Sequence, residues 1–535
     1  MRFVLLVSVL LLIPSRLVPA DDSLGKWLDP RGISGKLVIC GGGDLPAKVV
    51  KYFVEAAGGK SGRLVVIPTA SAKAAEANPE QFTERWDEQG FRSVTLLHAR
   101  SRAEANAVSF GDVLAEATAV WFVGGQQSRI AEAYIGTAVE KKLYEVLARG
   151  GVIGGTSAGA AIQSRVMIAR GNPIPVVTTG LNLLPGCVID QHFTKRDRKP
   201  RLLKAVADHP GCVGCGVDER TALLVDGRRI TVLGEGTVTV CLPESKHGRP
   251  AEIVLRDGDV ADLTALRRTA RERTGARFLT EAIGKPEVKT GSLLLGGGGR
   301  MPTEVLQKFI ELAGGPDARV VILPTAVDPV PKQASEIKMF GRAGATNVAV
   351  LPHRTREQVE SDEFSKALAA ARGVWFSGGR QWRFVDAYEN TSATDLFHDV
   401  LRRGGVIGGS SAGASIQAEY LARGNPLGNR EIMSEGYERG LGFLPGVAVD
   451  QHFSQRERFE DMSRLVATFP QLLGIGIDES TALLVQGRKA TVIGKNAVHF
   501  YDRSSPAKLD TPDSLTVPSG ERYDLISREL VADDR

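Results

Sequence analysis

Cysteine is scarce in this 535-residue sequence, with five residues in all and none after Cys241. Cys212 and Cys215 have a spacing found in metal and redox sites, but no second pair completes a zinc site. We therefore interpret the cysteines as small buried residues or as one incidental disulfide, and we predict no metal and no cofactor. Because the second half of the chain contains no cysteine, a thiol cannot be chemistry that both halves share.

An excess of charge of one sign is also lacking, since 67 basic residues face 62 acidic ones and the formal net charge is +5. Without a concentrated run of Lys and Arg, the composition does not predict nucleic-acid binding. The Gly-rich segments 41–43 and 296–299 match neither the full dinucleotide fingerprint nor a P-loop. We interpret them as tight turns between a strand and a helix.

Long apolar runs are absent except at the N-terminus, where residues 3–13 follow Arg2 and precede the small-residue sequence Val18-Pro19-Ala20. This pattern is typical of a signal peptide, and the run is short for a membrane span of about 20 residues. We predict a cleaved signal peptide over residues 1–20. The mature protein is then expected to be secreted or periplasmic, without membrane association.

The sequence repeats itself. RGGVIGGTSAGAAIQ at 149–163 recurs as RGGVIGGSSAGASIQ at 403–417, and GVDERTALLVDGR at 216–228 recurs as GIDESTALLVQGR at 476–488. Three further segments recur in the same order, so the chain is a tandem duplication of a whole domain. We predict a first copy over 32–245, an exposed basic helical connector over 246–288, a second copy over 289–500 and an irregular tail over 501–535. The second copy carries a longer loop between Arg423 and Leu441.

Short apolar runs rich in β-branched residues alternate with segments of helical spacing in each copy. In the first copy the predicted strands are 36–40, 63–68, 93–97, 119–123 and 151–155, and the predicted helices include 45–57 and 81–89. This alternation predicts an α/β fold with a mostly parallel sheet covered on both faces. Functional sites in such sheets form beyond the carboxyl ends of the strands.

The segments 155–159 and 409–413 both fit G-x-S-x-G, the nucleophile elbow, with an apolar strand before and a helix after. The small neighbours leave room for a strained turn, and the helix N-terminus offers N–H groups to a developing oxyanion. Ser410 competes with Ser411 in the second copy. Because Thr156 occupies that place in the first copy, Ser157 and Ser411 are the equivalent candidate nucleophiles.

A serine nucleophile needs a general base, most often His. Of the eight histidines, only two pairs recur between the copies. His98 and His353 share little flanking sequence, which favours a strand-end role. His192 and His452 share Asp-Gln-His-Phe after an apolar run, which favours a side chain directed into a site.

The acid that orients the base could be either member of a recurring Asp-Glu pair, and the Asp two residues before each His is a further candidate. Adjacent side chains of a strand face opposite ways, so only one of the pair can face the His. The candidates are Asp218, Glu219 and Asp190 in the first copy, and Asp478, Glu479 and Asp450 in the second. An α/β-hydrolase would require His247 and His499, which are not equivalent positions, so the motif order argues against an ordinary esterase.

Taken together, Gly-Gly-x-Gln, G-[TS]-S-A-G-A, D-Q-H-F and [VI]-D-E-x-T-A-L-L-V resemble the cyanophycinase branch of the S51 serine peptidases. The resemblance covers nearly all of both copies. It implies a fold like that of class I glutamine amidotransferases and a Ser-His-Glu triad. Carried over, the triads are Ser157, His192 and Glu219 in the first copy and Ser411, His452 and Glu479 in the second.

The resemblance also implies the rest of a pocket. The candidate oxyanion-hole amides are Gly125, Ala158, Gly379 and Ala412. The implied substrate-binding residues are Gln127, Asp190, Gln191, Arg196, Arg198 and Arg201 in the first copy, and Gln381, Asp450, Gln451, Arg456 and Arg458 in the second. Guanidinium groups suit a substrate carboxylate, and Asp190 could meet a substrate guanidinium. Asp461 stands where the third Arg of the second copy is expected, and Arg464, one turn later, is a possible substitute.

Cyanophycinases release β-Asp-Arg dipeptides from a polymer with an aspartate backbone, so the resemblance implies a secreted serine peptidase acting on peptide or cyanophycin-type polymer. The alternatives are a dipeptidase E-like exopeptidase and a binding protein with one catalytically silent copy. A glutamine amidotransferase is disfavoured because its elbow carries Cys. We also expect the two copies to pack as an intramolecular pseudo-dimer.

Overall fold

The computed structural model describes residues 29–75, 78, 80–245, 251–275, 278–279, 283–329, 335–504 and 513–531. The predicted signal peptide over residues 1–20 lies outside the described residues. Within these ranges, no helix has both the length and the apolar character that crossing a membrane requires.

The first copy and its C-terminal extension contain strands and helices that alternate along the chain. The strands are β1 (Lys36–Cys40), β2 (Arg63–Ile67), β3 (Ser93–Leu96), β4 (Ala119–Phe122), β5 (Val152–Thr156), β6 (Val166–Arg170), β7 (Val176–Thr179), β8 (Cys187–Gln191), β9 (Val213–Val217), β10 (Thr221–Asp226), β11 (Arg229–Gly234), β12 (Val238–Cys241), β13 (Glu252–Leu255) and β14 (Val260–Asp262). The helices are α1 (Ala47–Ala56), α2 (Glu80–Asp87), α3 (Arg102–Ala105), α4 (Gln127–Tyr134), α5 (Ala138–Ala148), α6 (Ala158–Ala161), α7 (Lys199–Asp208) and α8 (Leu263–Thr274).

The second copy repeats most of this order, with one strand in place of β6 and β7. Its strands are β15 (Val288–Gly296), β16 (Val320–Leu323), β17 (Val348–Val350), β18 (Gly373–Phe376), β19 (Val406–Ser410), β20 (Ala418–Tyr420), β21 (Leu444–Gln451), β22 (Leu473–Ile477), β23 (Thr481–Gly487), β24 (Lys489–Gly494), β25 (Ala497–Asp502), β26 (Ser514–Pro518), β27 (Arg522–Asp524) and β28 (Glu529–Leu530). Its helices are α9 (Thr303–Ala313), α10 (Ser335–Arg342), α11 (Arg356–Val359), α12 (Asp362–Ala369), α13 (Trp382–Tyr388), α14 (Ala393–Arg402), α15 (Ala412–Ser415) and α16 (Phe459–Thr468).

A mostly parallel sheet forms the centre of each copy. In the first copy the order is β14-β11-β10-β1-β5-β4-β2-β3, in which β1 to β5 pair in parallel and the other three strands are antiparallel. In the second copy β17-β16-β18-β19-β15 are parallel, and β23, β24, β27 and β28 continue the sheet antiparallel. The predicted fold class, two tandem α/β copies with mostly parallel sheets, is confirmed.

Both faces of the sheet are buried, which explains why its strands read as continuous apolar runs. Successive side chains of a strand point to opposite faces. In β1, Leu37 and Ile39 therefore enter one core, whereas Val38 and Cys40 enter another with Phe53 of α1. Each copy is thus a three-layer unit with helices outside the sheet.

A smaller sheet brings the remaining site elements to the same edge of each copy. β8 and β9 pair in parallel, with Gln191 opposite Val217, so the residues after each strand lie side by side. β21 and β22 pair in the same way, with Gln451 opposite Ile477. The carboxyl ends of the central strands meet the ends of these strands, as in the bonds from His192 N–H to Gly41 and from His452 N–H to Gly297, and the recurring motifs follow those ends.

The segment 246–288, expected to be an exposed connector, is largely part of the folded units in its described residues. β13 pairs with β12, and β14 pairs with β11 of the central sheet. In α8, Leu263, Leu266 and Ala270 recur on one helical face and join the core of the first copy. The prediction of a helix is confirmed. The prediction that this helix is exposed is wrong, because its apolar face packs against the core of the first copy.

The tail expected to be irregular over 501–535 adds strands in its described part. β26 pairs with β25, and β27 pairs with β24. The ion pair of Arg488 with Asp524 repeats that of Arg228 with Asp262. The duplication therefore extends through β14 in the first copy and β27 in the second. The signal in the sequence is the recurring Gly-x-x-x-Asp-Leu at 258–263 and 520–525.

The two copies contact each other through α8 and the hairpin of β10 and β11. Arg228 lies 2.6 Å from Asp386 of the second copy, and its guanidinium lies 4.4 Å from the centre of the Trp382 ring. From α8, Arg268 pairs with Glu389 at 2.7 Å and Arg273 pairs with Glu435 at 2.6 Å. Glu435 belongs to the longer loop of the second copy, so this loop is held by the helix that precedes that copy.

Candidate active site

Each candidate nucleophile occupies a strained turn between a strand and a short helix. Ser157 follows β5 with a φ of 54°, and Ser411 follows β19 with a φ of 56°. Residues other than Gly rarely have a positive φ. A Cβ on Gly155 would lie 2.3 Å from the carbonyl oxygen of Gly159. A Cβ on Gly159 would lie 2.2 Å from that of Phe122. The glycines of G-x-S-x-G are thus required sterically.

Serine, histidine and glutamate form one hydrogen-bonded chain in each copy. In the first copy, Ser157 Oγ lies 2.8 Å from His192 Nε2, and His192 Nδ1 lies 2.7 Å from Glu219 Oε1. In the second, the corresponding distances are 2.9 Å from Ser411 to His452 and 2.5 Å from His452 to Glu479.

The other candidates for base and acid lie elsewhere. His98 Nδ1 contacts the Thr69 hydroxyl at 3.0 Å, and Asp218 accepts the backbone N–H groups of Thr194 and Thr237. Asp478 likewise accepts the backbone N–H of Ser454. Asp218 and Asp478 therefore anchor the loops after the strands, while the adjacent glutamates face the histidines.

The surroundings of both triad histidines favour the neutral form of the imidazole. Burial lowers the pKa of His192 and of His452, although the hydrogen bond to the glutamate acts in the opposite direction. The hydrogen bond from Lys195, followed by that from His192, lowers the pKa of Glu219. A neutral imidazole beside an ionised carboxylate can accept the serine proton and be stabilised once it is charged.

The Gly-rich turns after β1 and β15, expected to be simple tight turns, also make room for the triads. A Cβ on Gly42 would lie 2.2 Å from His192 Cε1, and a Cβ on Gly298 would lie 2.3 Å from His452 Cε1. The next glycines, Gly43 and Gly299, have their Cβ positions 3.3 and 3.0 Å from the Cβ of the triad glutamates. Sequence reasoning missed these residues, and the signal was the recurrence of the glycines in both copies.

The predicted oxyanion-hole amides lie beside the nucleophiles. Ala158 and Ala412 follow the serines directly, and the Cβ position of Gly124, next to Gly125, is 3.4 Å from Ser157 Cβ. Gly125 and Gly379 have φ values of 144° and 140°. Among the described hydrogen bonds, none is donated by the N–H groups of Gly125, Ala158, Gly379 or Ala412. These four amides are therefore available to an incoming oxygen.

The predicted glutamines are used within the protein. Gln127 Nε2 donates to the carbonyls of Ile168 and Ala169 at 2.7 and 3.1 Å, and Gln381 Nε2 donates to that of Ala422 at 2.7 Å. These bonds tie the start of the helix after the Gly-Gly turn to β6 in the first copy and to the segment after β20 in the second. Each glutamine thus fixes one wall of the site.

Asp190, expected to meet a substrate guanidinium, is instead fully buried against the chain's own arginines. Arg201 donates to Asp190 Oδ2 from Nε at 2.6 Å and to Oδ1 from Nη2 at 2.5 Å, while Arg198 Nη1 lies 3.4 Å from Oδ1. Arg201 is itself only 4% exposed and donates from Nη1 to Gly171. Asp190 and Arg201 are therefore a buried ion pair beneath the pocket surface and do not face a substrate.

In the second copy, the equivalent aspartate is also paired with two arginines, but one of them comes from a different element. Asp450 is 0% exposed and accepts from Arg458 Nη1 at 2.6 Å. Its second guanidinium comes from Arg423, after β20, at 2.9 Å. Arg423 Nη2 also donates to Asp461, which stands at the position of Arg201. Arg464, the expected substitute, pairs with Asp461 at the surface instead.

The remaining pocket candidates are alike in the two copies. Gln191 and Gln451 are both 4% exposed, and Arg196 and Arg456 are exposed beside the histidines. Arg198 is partly buried and Arg458 is 5% exposed. The arginines of this segment lower the pKa of the neighbouring His in each copy. An anionic substrate group would therefore meet a similar positive surface at either site.

The described ranges contain no group of three or more His, Cys, Asp and Glu residues that could hold a metal. All five cysteines are buried, and Cys212 and Cys215 are not joined by a disulfide.

Comparison with known proteins gives matches in both copies. The family model of peptidase family S51 matches residues 37–233 and 292–493. A cyanophycinase of Nostoc sp. is 32% identical over 267 residues, covering 45% of this chain and 88% of that protein. A cyanophycinase of Synechococcus elongatus is 33% identical over 259 residues, covering 47% of this chain and 77% of that protein. The crystal structure of a peptidase from an acI-B1 Actinobacterium aligns with a TM-score of 0.34 and 22% identity, covering 43% of this chain and 98% of that one.

Proposed function

This chain belongs to peptidase family S51 and is a serine-type peptidase, and from that premise we propose that it hydrolyses aspartate-containing peptide bonds as cyanophycinases do. The observation that carries the proposal is the Ser–His–Glu chain of hydrogen bonds, present in both copies on equivalent elements. The products would be β-Asp-Arg dipeptides released from an aspartate polymer.

In the proposed reaction, Ser157 Oγ attacks the carbonyl carbon while His192 Nε2 accepts the hydroxyl proton. The carbonyl oxygen becomes an oxyanion between the N–H groups of Gly125 and Ala158. His192 then gives its proton to the leaving amine, which leaves an acyl-enzyme. Water, activated by the same His, releases the acid and restores the serine. Glu219 keeps Nδ1 protonated and stabilises the imidazolium.

The exposed cationic surface after the His supports a substrate that carries carboxylates. Arg196 in the first copy and Arg456 in the second stand next to the histidines, with Arg198 and Arg458 beneath them. A guanidinium can bind a carboxylate through two parallel hydrogen bonds. The names of the relatives, cyanophycinases, support an Asp-Arg polymer as the natural source of such a group.

We propose that both sites are active and take the same class of substrate. Asp461 occupies the position of Arg201, but Arg423 supplies a guanidinium in its place, so the buried Asp450 still pairs with two arginines. We further propose that the two copies work as an intramolecular pair held by α8. The mature protein would be secreted or periplasmic, since residues 1–20 have the pattern of a signal peptide.

The test uses the full chain without its leader and the variants Ser157→Ala and Ser411→Ala, singly and together. We expect the unmodified protein and each single variant to release β-Asp-Arg from cyanophycin, and the double variant to release none. A fluorophosphonate probe should label Ser157 and Ser411 in the folded protein. No labelling at either serine would overturn the catalytic assignment.

The substrate is tested separately with Asp-Xaa dipeptides as the matched alternative. If both serines are labelled and dipeptides are cleaved while cyanophycin is not, the protein is an exopeptidase and the polymer proposal is wrong. If one single variant loses all activity, only one of the two sites turns over.

A further inference from the structure

The two triads differ in what holds the second oxygen of the glutamate. In the first copy, Lys195 Nζ donates to Glu219 Oε2 at 2.6 Å, while Oε1 accepts from His192 at 2.7 Å. Both carboxylate oxygens are therefore fixed. Lys195 is two residues after Phe193 and follows the His in the same turn, so its ammonium reaches the carboxylate from the solvent side, with 67% of its side chain exposed.

In the second copy, Gln455 stands at the position of Lys195. Its Oε1 accepts the backbone N–H of Glu479 at 2.9 Å, so the side chain turns to the main chain instead of the carboxylate. Within the part of the chain that the structure describes, no hydrogen bond is made to Glu479 Oε2. The Glu479 side chain is also more exposed than that of Glu219, at 36% against 20%.

We propose that Lys195 is a positioning residue of the first site, which holds Glu219 in line with His192 and keeps the base neutral to lower pH, and that the second site lacks this device. The inference rests on the proposed function, because it assumes that the histidines act as bases. A cation beside the carboxylate opposes formation of the imidazolium, which must form next to the same carboxylate. Removing the cation should therefore favour the protonated, inactive base.

The other charges around the triads bear on the size of this effect. Arg196 and Arg198 act on His192, and Arg456 and Arg458 act on His452 from the same positions. This contribution is shared by the two sites.

The neighbours of the glutamates are not shared. Arg220 follows Glu219 and pairs with Glu235 and Asp44, whereas Ser480 and Arg300 take the places of Arg220 and Asp44. Asp478, before Glu479, also has His499 within 3.3 Å. For this reason each substitution is compared with the unmodified form of its own site rather than across sites.

The experiment measures the rate of fluorophosphonate labelling at Ser157 and at Ser411 separately, by peptide mass spectrometry, from about pH 5 to pH 8, the range in which His titrates. The variants are Lys195→Gln, which copies the second site, Gln455→Lys, which copies the first, and Lys195→Arg, which keeps the charge. Each chain contains an unaltered site as its internal control. The readout needs no knowledge of the natural substrate.

Lys195→Gln should raise the midpoint of the Ser157 profile by about 0.3–0.5 pH unit, as expected of one solvated charge near the ring, and leave Ser411 unchanged. Gln455→Lys should lower the midpoint at Ser411 by a similar amount. Lys195→Arg should retain the original midpoint, and about 1 M salt should reduce the difference.

An unchanged Ser157 midpoint in Lys195→Gln, with both serines still labelled and cyanophycin still cleaved, would overturn the role of Lys195 and leave the proposed function standing. An equal shift at Ser411 would also overturn it, because a general structural change would then be the cause. Absence of labelling at both serines in the unmodified chain would overturn the proposed function, and this inference with it.

Discussion

Replacement of Arg423 by Met tests whether the second site depends on an arginine that the first site does not use. In the unmodified chain, Arg423 is 2% exposed and donates to Asp450, to Asp461 and to the carbonyls of Asn429 and Arg430. Asp450 is fully buried directly before the Gln-His segment of the site. The variant removes one of two guanidiniums from a carboxylate that water cannot reach.

The expected cost follows from that burial. Removing one partner of a buried ion pair costs about 3–5 kcal/mol, because the other charge is left without compensation. Arg458 still donates to Asp450 at 2.6 Å, so we expect a smaller loss of about 2–4 kcal/mol. For a unit of this size, such a loss lowers the midpoint of thermal unfolding by roughly 4–16 °C.

The assay combines calorimetry of the full chain with fluorophosphonate labelling of Ser411 and Ser157. The matched control is Arg464→Met, which breaks an exposed pair with Asp461 and should cost less than about 0.5 kcal/mol. Adding Asp461→Arg to Arg423→Met recreates the arrangement of Arg201 in the first copy. This double variant should recover most of the lost stability and the labelling at Ser411.

The reasoning would be refuted if Arg423→Met unfolded at the unmodified temperature and labelled Ser411 at the unmodified rate. It would also be refuted if Asp461→Arg stabilised the chain while Arg423 was still present, because a third guanidinium on one carboxylate should be destabilising.

Three further outcomes are expected. Gly42→Ala should lower the labelling rate at Ser157 at least about 100-fold, because the added Cβ would lie 2.2 Å from His192 Cε1. Gly428→Ala, with no atom within 4 Å of its Cβ position, should leave the labelling rates at both serines unchanged. An unchanged rate at Ser157 in Gly42→Ala would contradict the steric argument. Burial lowers the pKa of His192 below its ordinary value of about 6.5, so kcat/KM should fall only as the pH drops below about 6.5, and a midpoint above that value would contradict it. Arg228→Met should cost about 2–4 kcal/mol and separate the unfolding of the two copies in calorimetry, because the buried Asp386 loses the guanidinium that it contacts directly. A single unchanged transition would show that this contact does not join the copies.

Much of the site could be read from the sequence because the duplication repeats it. Ser157 and Ser411 stand out since small residues must surround a nucleophile at a strained turn, and that constraint is local. His192 and His452 follow from the recurrence of Asp-Gln-His-Phe. The choice between Asp218 and Glu219 could not be made from spacing, because two adjacent side chains at the end of a strand differ only in the direction they face.

The ends of the two copies could not be predicted from the sequence, because they too depend on the tertiary structure. The strand pairings of β14 and β27 depend on long-range contacts with β11 and β24, and their sequences share only a few residues. The helical spacing of the sequence predicted α8. Its burial could not be predicted, because part of the surface that covers it comes from a loop more than 150 residues away in the chain, as the bond from Arg268 to Gly436 shows.

The sequence by itself determined the duplication, the α/β class and the Ser-His pairs, because these rest on local patterns that recur in two copies. Tertiary structure alone decided which arginine neutralises each buried aspartate. Arg201 and Arg423 lie on opposite sides of their sites along the chain, and they fill the same role only because a buried carboxylate accepts a guanidinium from any direction in which one can be packed. Spacing in the sequence carries no record of such an exchange, whereas the charge balance of the folded site requires it.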